Sequence, residues 1–236
     1  TEETPKDFGR IAAQTAKQVV MQKLRELERD RMISEIAEKE DEIVTGVVRR
    51  IEGKNVFVEI GGNNLEALMT EQDQIKGEKY YINSKIKVYV KKIKENETKS
   101  PIVQVSRANT GFVRKLFELE VPEIYEGIIE IVSVAREAGS RTKMAVMTKM
   151  ENIDPVGSCV GQKGTRVQNI INELRGEKID IIEWSPNYAQ YIASALNPAE
   201  VLAVDVKEDE KTAKVVVPDN QLSLAIGKEG QNARLA

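Results

Sequence analysis

The sequence predicts a multidomain chain: an N-terminal α-helical connector, an all-β barrel of the OB-fold type, and then two α+β domains of one design. Three observations carry that reading. The hydrophobic period changes from helical to strand-like near residue 42; five short apolar runs follow, separated by Gly- and Asn-rich turns; and one order of helices and strands then occurs twice. A length of 236 residues gives room for two or three small domains. Hydrophobic residues at 41% and charged residues at 31% suit ordinary cores under a well-solvated surface.

Composition removes several classes of function. No apolar run reaches the roughly 18 residues that a membrane-spanning helix needs. Residues Thr1 to Asp7 are polar and acidic where a signal peptide is basic and then apolar, so a cytoplasmic protein with no membrane partner is expected. One cysteine, Cys159, cannot make an internal disulfide, and a chain with no histidine has neither a Cys/His zinc site nor a Ser-His-Asp relay. The carboxylates fall in charge-mixed runs such as Glu35 to Glu42 and Glu208 to Glu210, which read as solvated faces and turns. No catalytic residue, metal or cofactor is therefore expected. With a net charge of −3, any nucleic-acid site must arise from local clustering of basic groups.

From Phe8 to Ile36 the apolar positions Ile11, Thr15, Val19, Leu24, Leu27 and Ile36 recur at roughly helical spacing among Lys, Arg and Glu, which predicts one long, exposed helix (domain bounds 1–41). Strand-like runs then occupy Ile43 to Arg50, Val56 to Ile60, Leu65 to Met69, Ile86 to Ile93 and Ile102 to Val105. The turns are Gly53-Lys54-Asn55 and Gly61-Gly62-Asn63-Asn64, and the interval Thr70 to Ser84 crosses the barrel. These runs define a domain over 42–107. Lys85, Lys87, Lys91, Lys92 and Lys94 collect on the fourth strand and its turn, and Phe57 lies mid-strand, so Lys54, Phe57 and Lys91 are candidates for a basic face with an aromatic. Solubility accounts for the lysines equally well.

Beyond Thr110 the order is helix (Phe112 to Leu119), strand (Ile128 to Ala135), strand (Thr142 to Thr148), helix, helix (Thr165 to Leu174) and strand (Lys178 to Trp184), giving a domain over 108–185. The order then restarts over 186–236: helix at Tyr188 to Leu196, strands at Val201 to Lys207 and Lys211 to Val217, helices at Gln221 to Ile226 and from Gln231. This second copy is expected to stop inside its last helix.

Each copy carries one Gly-x-x-Gly: Gly161-Gln162-Lys163-Gly164 and Gly227-Lys228-Glu229-Gly230. With 15 glycines, roughly one such pair arises by chance, so context decides. Each is preceded by an apolar residue ending a short helix (Val160, Ile226) and followed by a second helix; the first of these has a stripe at Val167, Ile170, Ile171 and Leu174. Glycine permits close approach and unusual dihedrals, and the next helix offers unpaired N–H groups to a phosphate. The loop and helix-start residues Gly161, Gln162, Lys163, Gly164, Thr165 and Arg166, with Gly227, Lys228, Glu229, Gly230, Gln231, Asn232 and Arg234, are the candidate nucleic-acid contacts. A tight turn without a ligand is the bland alternative for one loop, and the matched second copy outweighs it. An NTPase phosphate loop over Gly157 to Thr165 is rejected, because the Gly-x-x-x-x-Gly-Lys-Ser/Thr spacing is missing. Cys159 reads as a small packed side chain.

At these residues the chain resembles the bacterial NusA family of transcription factors. The resemblance runs through FGRIAAQTAKQVVMQKLRE, VTGVVRRIEGKNVFVEIGG, LFELEVPEI, DPVGSCVGQKGTRVQNIINELRGEKIDIIEWS and VVVPDNQLSLAIGKEGQNARLA. It implies that the barrel is an S1 domain and that the repeats are type II KH domains. It also implies a non-enzymatic monomer that binds single-stranded RNA, associates with RNA polymerase and with other antitermination factors, and acts on elongation, termination and antitermination. S1 before KH sets the chain apart from polynucleotide phosphorylases, which place KH first. Of the family's polymerase-binding N-terminal domain, only the connector helix is recognised. S1 domains that grip RNA strongly often have a further aromatic and a histidine where Lys54 and Thr70 stand here. The alternatives are the RNA-clamping part of a ribonuclease, or a protein-interaction scaffold.

Overall fold

A computed structural model of the chain describes residues 8–62, 65–91, 94–96 and 99–236. Thr1 to Asp7, Asn63, Asn64, Lys92 and Ile93, assigned above to the N-terminus, a turn and the fourth strand, lie outside the described residues. Two units are formed: one runs up to Glu71 and adds Tyr80–Val105, and the other takes Gln72–Lys79 with Ser106–Ala236.

The first unit opens on α1 (Phe8–Ala37), a run dominated by good helix formers and free of proline. Exposed pairs such as Gln22 with Glu26 (3.2 Å) and Arg31 with Glu35 (3.0 Å) lie one turn apart along it. Ile33 and Ile36 near its end are buried, whereas Ile11, Val19, Leu24 and Leu27 are exposed. Strands β1 (Ile43–Glu52), β2 (Asn55–Ile60), β3 (Leu65–Met69), β4 (Lys85–Val90), β5 (Lys94–Asn96), β6 (Lys99–Ile102) and β7 (Val105–Ser106) follow. Five of them form one sheet in the order β3-β2-β1-β4-β7, and β5 pairs with β6 as a separate ribbon. Leu68 bridges to Gln104, and its N–H donates to the Val103 carbonyl at 2.9 Å, which nearly closes the sheet into a barrel.

Period-2 alternation builds this barrel's interior. Val56, Val58 and Ile60 of β2, Leu65, Ala67 and Met69 of β3, and Ile86, Val88 and Val90 of β4 are buried together with Ile33 and Ile36. On β1, Gly46 lets β2 approach: an added Cβ would lie 2.8 Å from the Glu59 carbonyl oxygen.

The second unit contains both repeats. In the first, α2 (Thr110–Glu120) is capped by Asn109, whose side chain accepts from the Gly111 N–H, and buries Phe112, Val113, Leu116 and Phe117. A short α3 (Pro122–Tyr125), not expected from the sequence, precedes β8 (Ile129–Glu137) and β9 (Arg141–Thr148). Then come α4 (Pro155–Val160), α5 (Thr165–Glu173) and β10 (Lys178–Glu183). The sheet runs β10-β9-β8, with β9 antiparallel to β8 and parallel to β10. The helix-strand-strand-helix-helix-strand order is thus realised around a central strand whose Met144, Ala145 and Val146 are buried.

Buried charge ties this repeat together. Arg136 donates to both Glu177 oxygens at 2.8 and 2.9 Å, and the same carboxylate accepts from Thr142 Oγ1 (2.5 Å) and the Gly139 N–H (2.9 Å). Arg107 bonds Glu78 at 2.8 Å and Glu173 at 2.9 Å, which fixes segment Gln72–Lys79 to α5. The second repeat has α6 (Tyr188–Ala195), the antiparallel hairpin β11 (Ala203–Lys207) and β12 (Thr212–Val216), α7 (Leu222–Ile226) and α8 (Gln231–Leu235).

Candidate nucleic-acid interface

The two Gly-x-x-Gly loops have one backbone. Gly161 and Gly227 both have φ 77° and ψ 171°. Lys163 (φ 52°, ψ 25°) matches Glu229 (φ 53°, ψ 27°), and Gly164 (φ 76°, ψ 14°) matches Gly230 (φ 74°, ψ 11°). Two successive left-handed residues are costly except at glycine, so this agreement marks a specified conformation.

The paired glycines do different work. A Cβ on Gly227 would lie 2.7 Å from the Asn232 backbone nitrogen, and one on Gly161 would lie 2.7 Å from Arg166 Cγ. The first glycine therefore lets the loop close on the following helix. Around Gly164 and Gly230 an added Cβ meets nothing within 4 Å, so that end of each loop is open. Gln162, Lys163, Lys228 and Glu229 project from the turns, and Thr165 and Gln231 start the next helices, neither of which has a side-chain cap. The first loop thus carries one cation at Lys163, and in the second Lys228 is offset by Glu229.

Arg166 and Asn232, equivalent in the two repeats, turn back onto the loops from beneath. Arg166 Nη1 donates to Glu123 (2.9 Å) and to the Ser158 carbonyl (2.7 Å), beside a polar cleft of about 550 Å³ that also touches Asp154, Gly161 and Thr165. Asn232 is fully buried; its Nδ2 donates to the Leu196 and Ala225 carbonyls at 3.0 Å. Cys159, buried beside the first loop, has its thiol pushed up to about 12 by burial and then by the nearby Glu123 carboxylate.

Gln231 and Arg234 reach the first repeat. Gln231 Nε2 donates to Glu137 (2.8 Å) and to Ser140 Oγ (2.6 Å), and Arg234 bonds Glu137 at 2.7 Å and the Glu229 carbonyl at 3.1 Å. The Gln231 hydrogen bond, then that from Arg234, holds the Glu137 carboxyl below the usual carboxylate range. Ser133 with Tyr191 (3.0 Å) and Lys143 with the Asn197 carbonyl (2.8 Å) add to this seam between the repeats. Sequence reading missed Glu123 and Glu137. Glu137 stands 94 residues from Gln231, and no periodicity along the chain signals such a partner.

The barrel candidates do not converge in the same way. The Arg50 guanidinium lies 3.6 Å from the Phe57 ring centroid and also pairs with Glu66 and Glu52. Lys54 bonds Glu71 at 2.8 Å. The β1–β4 register sets Lys91 beyond the start of β1, and Lys54 lies beyond its other end. Among the described residues no group of three or more Cys, Asp or Glu side chains is placed to hold a metal ion, and no helix is long and apolar enough to cross a membrane.

Family models match along the chain in this order: NusA N-terminal domain over 1–30, S1 RNA binding domain over 38–104, NusA-like first KH domain over 107–184 and NusA-like second KH domain over 188–236. The Mycobacterium tuberculosis (strain H37Rv) transcription termination/antitermination protein NusA is 46% identical over 242 residues, covering 100% of this chain and 70% of that protein. The chain belongs to the NusA family. Its Bacillus subtilis (strain 168) NusA relative is 55% identical over 235 residues, covering all of this chain and 62% of that protein. The Thermus thermophilus NusA is 45% identical over 98% of this chain and 59% of its own length. The chain therefore spans about three-fifths of those two relatives. Among solved structures, the one titled "Crystal structure of APE1850" aligns with 52% of the chain at 20% identity and a TM-score of 0.39. The two repeats, matched by the NusA-like KH models, supply both loops described above.

Proposed function

We propose that the chain holds single-stranded RNA on its two Gly-x-x-Gly turns and thereby modulates elongation, termination and antitermination by RNA polymerase, without catalysing a reaction. The observation that carries this reading is the shared loop backbone, built twice from different residues, with an open final glycine in each copy. KH folds hold the backbone of about four nucleotides against such a turn. The transcription role rests on family membership and on the name of the relatives.

RNA polymerase and other antitermination factors are the protein partners of this reading, and the chain works as a monomer. The working domains are the connector (1–41), S1 (42–107) and the two KH repeats (108–185 and 186–236). The barrel has a subordinate share: Phe57 already carries Arg50, so a base reaches that face through Arg50 or by displacing it. Labelled RNA incubated with the chain and magnesium is expected to stay intact.

The test is the double substitution Gly164→Asp and Gly230→Asp, which puts a carboxylate at each open loop end. Asp tolerates the left-handed conformation better than most residues, and no atom lies within 4 Å of either added Cβ, so circular dichroism should show the fold intact. RNA affinity should drop at least about tenfold, as like charge meets phosphate. Unchanged affinity would sink the reading.

A further inference from the structure

We propose that Glu137, at the end of β8 in the first repeat, is a positioning residue for the second repeat's Gly-x-x-Gly loop. The inference rests on the RNA-holding reading and concerns how one of its loops is kept in shape. Glu137 takes two side chains of α8 as donors: Gln231 Nε2 at 2.8 Å on one oxygen, and Arg234 Nε and Nη2, both at 2.7 Å, on the other. The same guanidinium uses Nη1 to hold the Glu229 carbonyl at 3.1 Å. Glu229 is the non-glycine residue that the loop forces into the left-handed region, so its carbonyl is the group whose direction changes if the loop relaxes.

A planar guanidinium held along one edge by a carboxylate has its remaining N–H groups fixed in direction. Glu137 therefore sets the donor that sets the loop. Among the described residues the first loop has no such link to the other repeat: Arg166 pairs with Glu123 and holds the Ser158 carbonyl within its own repeat. Its position equivalent to Arg234 is Gln168, whose amide donates along its own helix to Asn172 at 2.9 Å. Arg234, a candidate phosphate contact from sequence, is on this geometry a brace between repeats, and shape in the second loop depends on contact with the first repeat.

Single-loop backgrounds test this in the full chain, with an unstructured single-stranded RNA of mixed sequence, about eight nucleotides long to cover two KH footprints. With Gly164→Asp silencing the first loop, Glu137→Ala should weaken binding about three- to tenfold, the scale of one ordinary hydrogen bond, since the loop loses the brace on one carbonyl. With Gly230→Asp silencing the second loop, the same change should leave affinity within about twofold, below that scale. Glu137→Asp should restore most of the loss. The amide resonances of Glu229 and Gly230 should move in Glu137→Ala while those of Lys163 and Gly164 stay. Equal losses in both backgrounds would mean general destabilisation and overturn the inference. So would a gain in affinity, which would make Glu137 a competitor of phosphate for Arg234. Binding indifferent to both glycine substitutions would fail the loop reading itself, and is seen before Glu137 is altered.

Discussion

Glycine in these loops meets a conformational demand at both ends, φ 77° at the first position and 74–76° at the last, and at the first position a steric demand is added. Alanine at Gly230 meets open space and should cost only the left-handed backbone, about 1–2 kcal/mol. Alanine at Gly227 adds a methyl 2.7 Å from a backbone nitrogen that has no rotamer to escape by, so a loss above about 3 kcal/mol is expected. Urea denaturation of the two variants should separate them in that order. Charge is the other variable. Glu229 occupies the place that Lys163 has in the first loop, so Glu229→Lys should raise RNA affinity at low salt. The log-log salt slope should steepen by about 0.7, the share of one added phosphate contact on a single strand. A slope that does not change would show that this position faces away from the backbone of the RNA.

Helices, strands and their order were legible wherever period and turn chemistry agreed. Val56, Val58 and Ile60 alternate with Phe57 and Glu59, and that alternation alone places β2 and its inward face. The long connector was legible from its composition and spacing; among its described side chains Ile33 and Ile36 are the buried ones. The one-turn α3 was not, because Pro122-Glu-Ile-Tyr125 is too short to show a period. Buried ion pairs were beyond reach for a different reason: Arg136 and Glu177 come from separate strand ends and meet only once β8, β9 and β10 share a sheet. Both side chains are fully buried, so Glu177→Ala leaves an uncompensated guanidinium and should cost about 3–5 kcal/mol. Calorimetry on the variant would check that figure. The candidate site divides likewise. Both loops were visible as spaced glycines, but Glu123 and Glu137, which hold Arg166 and Arg234, became visible only in the folded chain.

The tandem repeats are joined by a short, bonded link and by contacts across their seam. Trp184, Ser185, Pro186 and Asn187 alone join β10 to α6, and the link is itself bonded: the Asn187 N–H donates to Ser185 Oγ at 3.2 Å, and Ser185 Oγ to Gln190 at 3.0 Å. With the Glu137, Ser133 and Lys143 contacts, the proposed RNA-holding reading predicts that both loops engage one strand as a unit, so that the second contact becomes intramolecular. The net charge of −3 keeps such binding local, and a salt slope equivalent to about two to five phosphate contacts is expected. The most direct measurement is affinity across a length series of single-stranded RNA. Affinity should keep rising past the roughly four nucleotides that one KH fold holds, and level off only at about eight or more. A plateau at about four or five nucleotides would contradict the account, since each loop would then be binding alone.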